Sequence, residues 1–103
     1  MNEKYTLSYL PLFYDDLSAI YDYIRNKLEN PIAAKSFVNK IEKAILERAL
    51  SPAGYEPYVS SIKHKDTYYR IYVDNYTVFY VLKGNTMEVR RLIYSRRNIK
   101  EIL

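Results

Sequence analysis

The stretch from residue 68 to residue 94 constrains the fold most, because apolar and polar residues alternate along it around two turn signals. It reads "YYRIYVDNYTVFYVLKGNTMEVRRLIY". Asp74-Asn75 and Gly84-Asn85 are dipeptides typical of tight hairpins. The pattern predicts three antiparallel strands and a short closing helix or tail, over residues 68–73, 76–83, 86–94 and 96–103.

The first half of the chain predicts one strand and two helices. Residues 4–10 alternate with a period of two, which is typical of a strand. Apolar residues recur at steps of three and four within residues 12–28, which predicts one face of a helix. A second helix starts after Asn30, a suitable N-cap, has Pro31 in its first position and runs to Ala49. The short linker makes the two helices an antiparallel hairpin.

These elements combine into an α+β fold with the order β-α-α-β-β-β. The helical hairpin covers one sheet, which is mostly antiparallel, and residues 55–67 form an irregular connection. A chain of 103 residues with 49% apolar residues can build one modest core. We therefore expect a single domain over residues 1–103.

The alternation also predicts which side chains share a face of the sheet. Side chains that cover the helices are Tyr69, Ile71, Val73, Met87, Val89 and Ile93. The opposite face gathers Tyr68, Arg70, Tyr72, Arg90 and Tyr94 into an open basic and aromatic surface, and Leu92 is expected to point to the same side. Arg91 is expected at an edge, with its guanidinium reaching solvent.

Composition excludes several kinds of site. The chain has no cysteine, which removes disulfides, thiol catalysis and cysteine-based zinc sites. Its two glycines leave no glycine-rich phosphate loop, and its one histidine, His64, is interpreted as a solvated loop residue. No cofactor or metal is therefore expected. No segment reads as a membrane span or a signal peptide, so we expect a cytoplasmic protein.

Positive charge is concentrated at the C-terminal end. Residues 1–62 carry a net charge of −1, whereas residues 63–103 carry +5. This excess attracts polyanions or acidic protein segments, or it serves solubility. Arginine binds phosphates and carboxylates, and tyrosine stacks on bases, so the pair suits single-stranded nucleic acid and acidic peptides equally. Arginine, lysine and tyrosine can also support metal-independent RNA cleavage.

Four stretches together resemble the RelE/ParE superfamily of bacterial type II toxin–antitoxin toxins. "YLPLFYDDLSAIYDYI" resembles its first helix, and "SPAGYEP" resembles the segment after its second helix. "YYRIYVDNYTVFYVL" resembles its central hairpin, and "LIYSRRNIKEIL" resembles its closing tail. The resemblance spans nearly the whole chain in the expected order and implies the β-α-α-β-β-β fold.

The resemblance implies a toxin with a cognate antitoxin and one of two targets. RelE-like members cleave mRNA on the ribosome, and ParE-like members poison DNA gyrase. Arg70 and Arg96 match arginines of the RelE-like nuclease site. Tyr72 and Thr77 stand where that site usually has a lysine and an arginine, and Tyr94 stands at a usual histidine position. The long helical hairpin and "YSRRNIKEIL" are closer to ParE.

We therefore predict a ParE-like toxin that binds its target, with gyrase as the expected target and no catalytic residue. The candidate target-binding residues are Lys63, Lys65, Arg70, Arg90, Arg96 and Arg97. An acidic antitoxin would insert apolar residues into a groove beside the helices. One alternative is a ribosome-dependent mRNA endonuclease, with Arg70 and Arg96 on the phosphate and Tyr94 as acid or base. Another is a non-toxic RNA-binding or accessory protein.

Overall fold

The computed structural model describes residues 5–59, 65–97 and 103, and it confirms the predicted α+β fold. A strand and two helices precede three further strands. The helices are α1 (Pro11–Asp22), extended by a π-helical turn (Tyr23–Lys27), and α2 (Pro31–Arg48). The strands are β1 (Thr6–Tyr9), β2 (Tyr69–Val73), β3 (Tyr76–Lys83) and β4 (Thr86–Tyr94). Most of the predicted closing segment lies outside the described residues.

The four strands form one sheet in the order β1-β4-β3-β2. The pairs β2–β3 and β3–β4 are antiparallel, and β1 is parallel to β4. The predicted turns explain the two hairpins, because Asp74 and Gly84 have φ angles of 52° and 58°, in the left-handed region. β1 pairs with the first half of β4, from Thr86 to Val89, and no strand within residues 5–59 and 65–97 lies beside the second half of β4 on that edge.

The helical hairpin begins and ends as its sequence predicts, apart from the last turn of the first helix. Asn30 caps α2 by accepting a hydrogen bond from the Ala33 N–H at 3.0 Å. After α1 the helix widens, and the Leu28 N–H donates to the Tyr23 carbonyl, five residues back, at 3.1 Å. Within the described ranges, neither helix is long and apolar enough to cross a membrane.

The main core lies between the helical hairpin and one face of the sheet. The helices contribute Phe13, Phe37, Ile41 and Ile45. The strands contribute Ile71, Val73, Val78, Tyr80, Met87, Val89 and Leu92. Burial of this apolar surface is the main force that holds the helices on the sheet.

A β-bulge in β4 corrects the predicted faces. Phe79 lies opposite Arg91, and the next residue of β3 lies opposite Val89, which leaves Arg90 as an extra residue. One extra residue inverts the alternation beyond it. The prediction that Leu92 faces away from the helices and Ile93 faces them was therefore wrong, because Leu92 belongs to the helix-side core and Ile93 does not.

Tyr94 changes face for the same reason. Its ring packs edge-on against Tyr76 at a centroid distance of 5.7 Å, and Tyr76 packs against Phe37 of α2 at 5.0 Å. Tyr94 thus lies on the helix side of the sheet, and its predicted place beside Arg70 was wrong.

The face opposite the helices is covered over β3, which corrects the prediction of a fully open surface there, whereas Tyr72 of β2 stays exposed. Phe79, Val81 and Ile93 are only 0–1% exposed. The rings of Tyr58 and Tyr68 pack edge-on against Phe79, at centroid distances of 5.6 Å and 6.4 Å. β3 is consequently buried on both faces.

Candidate functional site

Arg70 presents its guanidinium on the face of the sheet that points away from the helices. It lies over the ring of Tyr58 at 5.2 Å and that of Tyr72 at 5.6 Å. Tyr72 is 65% exposed. Cation–π contact holds the guanidinium in place and leaves its hydrogen-bond donors available to a partner.

Arg90 lies on the same side but is held by internal acids. Its Nη1 donates to Asp66 Oδ2 at 3.0 Å and to the Tyr68 hydroxyl at 3.2 Å, and its Nη2 lies 3.6 Å from Glu88 Oε2. Burial acts to lower the pKa of Arg90, but these hydrogen bonds and the charge of Glu88 raise it above its ordinary value. The Arg90 side chain is 15% exposed, and its charge is already balanced by Asp66 and Glu88.

The cations after β4 are exposed at one end of the sheet. The turn that holds Arg96 and Arg97 is fixed by two hydrogen bonds, from the Ser95 N–H to the Asn75 carbonyl at 2.8 Å and from the Arg97 N–H to the Tyr94 carbonyl at 2.9 Å. Both arginines are exposed, as is Lys65. Lys63 and His64 lie outside the described residues.

The three residues of the nuclease alternative do not converge. Arg70 and Tyr94 lie on opposite faces of the sheet. Arg96 follows Tyr94 at the end of β4, on a surface turn. General acid–base catalysis requires the acid or base within hydrogen-bond reach of the reacting group, so a single phosphate could not use Arg70 and Tyr94 together in this arrangement.

An ion pair between α1 and β4 was not predicted. Arg91 donates from Nε to Asp16 Oδ2 at 2.8 Å and from Nη2 to Oδ1 at 3.0 Å, and the Leu92 N–H donates to Oδ2 at 2.9 Å. The Arg91 guanidinium lies at the edge of β4, as expected, but Asp16 holds it, and its side chain is only 19% exposed. The hydrogen bond to Asp16 is the main cause that raises the pKa of Arg91.

A second unpredicted network joins α2 to the strands through Arg48. Its Nη1 donates to the Arg70 carbonyl and to the Tyr80 hydroxyl, each at 3.0 Å. The Tyr80 hydroxyl donates to the Pro52 carbonyl at 2.8 Å. The guanidinium lies 3.4 Å from the ring centre of Tyr55. Arg48 therefore fixes both the segment after α2 and the strand that carries Arg70.

Stability is expected to fall at alkaline pH, partly because of Tyr80. Burial raises its pKa, despite the opposing contribution of Arg48. A raised folded-state pKa stabilises the fold fully below the unfolded value of about 10, and this stabilisation is lost as the pH rises through the folded value, by up to about 1.4 kcal/mol per pH unit for one proton. Urea unfolding of Tyr80→Phe between pH 8 and pH 11 should give a shallower loss of stability than the wild type. An identical slope would contradict this role for Tyr80.

Arginine and tyrosine side chains therefore dominate the candidate site. Among residues 5–59 and 65–97, no three acidic or histidine side chains lie close enough to hold a metal ion. A strand, an antiparallel helical hairpin and a three-stranded meander that ends in exposed arginines define the class of the RelE/ParE toxins. Residues 7–99 match the sequence model of the ParE toxin of the type II toxin–antitoxin system parDE, and the chain belongs to this family.

Solved structures show the same fold. The chromosomal ParDE toxin–antitoxin system from P. aeruginosa contains a chain that matches with a TM-score of 0.74 and 17% identity, over 89% of this chain and 97% of that one. The RelB–RelE antitoxin–toxin complex from Methanococcus jannaschii contains one that matches with a TM-score of 0.50 and 23% identity, over 93% and 98%. No curated protein matches the sequence significantly.

Proposed function

We propose that this ParE-type toxin inhibits growth by binding DNA gyrase and that a cognate antitoxin neutralises it. The observation that carries the binding mechanism is the separation of Arg70 and Tyr94 onto opposite faces of the sheet. Cations that bind an acidic protein surface need not meet at one scissile bond. Their separation is therefore compatible with binding. The charge balance around Arg90 supports the same mechanism, because Asp66 and Glu88 already occupy the guanidinium that a phosphate would need.

The residues that meet the target are Arg70, Lys65, Arg96 and Arg97, and Lys63 remains a candidate from the sequence. Arg90 keeps a supporting part, because its ion pairs hold the segment around Asp66 and Tyr68 against the sheet. On this proposal no residue forms or breaks a bond. The antitoxin is expected to be acidic, which complements the net charge of +4 on the toxin.

The target is tested by labelling DNA and protein synthesis in a bacterial host, minutes after the toxin is induced alone. We expect DNA synthesis to fall first, and purified toxin to inhibit gyrase supercoiling. An earlier fall in protein synthesis would replace the proposal with mRNA cleavage. An unchanged rate of both would favour the non-toxic accessory protein.

Single arginine substitutions should separate binding from catalysis. Charged residues at the rim of an interface each contribute about 0.2–1 kcal/mol, so Arg96→Ala or Arg97→Ala should weaken gyrase inhibition by only about 1.4-fold to fivefold. The double variant should weaken inhibition further than either single variant, and the difference from the product of the two effects measures the coupling between these neighbours. Lys83→Ala is the matched control, because Lys83 is exposed at the opposite end of β3. Complete loss of activity in Arg96→Ala, with the fold retained, would indicate a catalytic arginine instead.

A further inference from the structure

Arg48 closes part of the free edge of the sheet. β2 is the last strand in the order β1-β4-β3-β2, so in the described part of the chain no further strand pairs with its outer side. On that side the Arg48 Nη1 donates to the Arg70 carbonyl at 3.0 Å, and the Tyr58 N–H donates to the Tyr68 carbonyl at 2.7 Å. Both carbonyls are therefore satisfied by residues of α2 and of the segment after it, which leaves less of this edge for another strand to bind.

The same side chain also fixes the segment that follows α2. The Arg48 guanidinium lies 3.4 Å from the ring centre of Tyr55. Its Nη1 donates to the Tyr80 hydroxyl at 3.0 Å, and that hydroxyl donates to the Pro52 carbonyl at 2.8 Å. Tyr80 is 0% exposed, so the core holds this hydroxyl in one place. The chain from Pro52 to Tyr55 is consequently attached to the sheet through one guanidinium.

The segment after α2 supplies one of the two rings that contact the Arg70 guanidinium. This ring belongs to Tyr58 and lies 5.2 Å from the guanidinium, and it packs edge-on against Phe79. The other ring belongs to Tyr72, at 5.6 Å, and β2 places it. Arg48 therefore reaches Arg70 by two routes, because it holds the strand that carries Arg70 and also the segment that carries Tyr58.

Holding Arg70 in place matters because an arginine side chain is long and flexible. Binding a partner immobilises such a side chain, and this loss of conformational freedom weakens binding unless the side chain is ordered beforehand. The contacts of Arg48 are internal, with two acceptors at Nη1 and the ring of Tyr55 against the guanidinium. Its contribution to binding therefore runs through Arg70.

We propose that Arg48 is a positioning residue, which holds the Arg70 guanidinium in the orientation that meets the target. This inference rests on the proposed function for the part that Arg70 plays, and it adds the residue on which that part depends. Arg48 acts through the Arg70 carbonyl and through the ring of Tyr58. Loss of Arg48 should then weaken target binding only while Arg70 is present.

The order of the Arg70 side chain tests the positioning without any target. NMR relaxation of its Nε–H group measures how far the guanidinium moves on the picosecond-to-nanosecond timescale. In Arg48→Met, which keeps an aliphatic stem and removes the donors, we expect the order parameter of Arg70 to fall below about 0.6. Arg48→Lys keeps a charged donor and should restore most of the order. Lys43→Met is the matched control on the exposed side of α2 and should leave Arg70 unchanged.

A second variant separates this effect from a loss of the fold. Circular dichroism and urea unfolding show whether Arg48→Met remains folded. Tyr55→Ala removes the ring that lies against Arg48, and because Tyr55 is 49% exposed, the core stays intact. Tyr55→Ala should increase the mobility of Arg70 by a smaller amount. Wild-type order of Arg70 in a folded Arg48→Met, or in Tyr55→Ala if Arg48→Met does not fold, would overturn the inference.

A double-mutant cycle on gyrase inhibition tests the consequence for function. Arg48→Met should weaken inhibition by about twofold to tenfold, the usual cost of ordering one long side chain on binding. Added to Arg70→Ala, it should cause no further loss. Losses that multiply would show that Arg48 acts independently of Arg70, as a purely structural residue does, and would overturn the inference. A wild-type toxin that leaves gyrase uninhibited would refute the proposed target, and the order of the Arg70 guanidinium would still decide the role of Arg48.

Discussion

Replacing Phe79 with alanine is expected to destabilise the fold by about 3–5 kcal/mol. Phe79 is 0% exposed and lies under the rings of Tyr58 and Tyr68, on the face of the sheet without helices. Removing its ring would leave a cavity between the sheet and the segments that cover it. Those segments also carry Asp66, so the loss should loosen the ion pair with Arg90.

Urea unfolding followed by circular dichroism measures this effect. Tyr72→Ala is the control, because Tyr72 belongs to the adjacent strand but is 65% exposed, and its loss should cost about 1 kcal/mol or less. Equal effects of the two substitutions would mean that the second face of the sheet is not packed as a core.

Replacing Asp16 with alanine is expected to destabilise the protein by about 3 kcal/mol, because the substitution removes the acceptor of three hydrogen bonds from a partly buried guanidinium and a backbone N–H. The carboxylate accepts two hydrogen bonds from Arg91 and one from the Leu92 N–H. The side chains of Asp16 and Arg91 are only 16% and 19% exposed, so water replaces these contacts poorly.

A double-mutant cycle with Arg91→Ala should isolate the ion pair. We expect a coupling energy of about 1–3 kcal/mol between the two sites. Asp15→Ala is the matched control, since Asp15 is the exposed neighbour of Asp16 on the same helix. Additive effects of Asp16→Ala and Arg91→Ala would show that the two side chains stabilise the fold independently.

The elements of the fold are predictable because their signals are local. Asn30 and Pro31 mark the start of α2, and the two turn dipeptides fix the hairpins. The bulge at Arg90 has no such signal, because "VRRLI" alternates plausibly in either phase. Only packing against α1 decides that Leu92 and not Ile93 enters the helix-side core. The extra residue of the bulge, Arg90, therefore places Tyr94 on the helix side of the sheet.

The sequence predicts which types of residue form the candidate site. It predicts less well how those residues are arranged and paired. Exposed cations at Arg96 and Arg97 follow from the basic tail of the sequence. The pairing of Arg91 with Asp16 spans 75 residues, and that of Arg90 with Asp66 spans 24. Charge counts along the chain cannot show which cations are neutralised by distant acids. Which cation pairs with which acid depends on how the helices and strands pack.

The burial of β3 on both faces decides how the molecule can open. Five consecutive residues of this strand, 77–81, are at most 1% exposed, and β2 and β4 flank them. Neither the helical hairpin nor the opposite covering can detach alone and expose the amides of β3 to solvent, because the neighbouring strands still hold those amides. Hydrogen exchange in β3 should therefore require global unfolding, whereas β1, a four-residue edge strand, can exchange by local fraying. We expect β3 to be the most slowly exchanging of the four described strands.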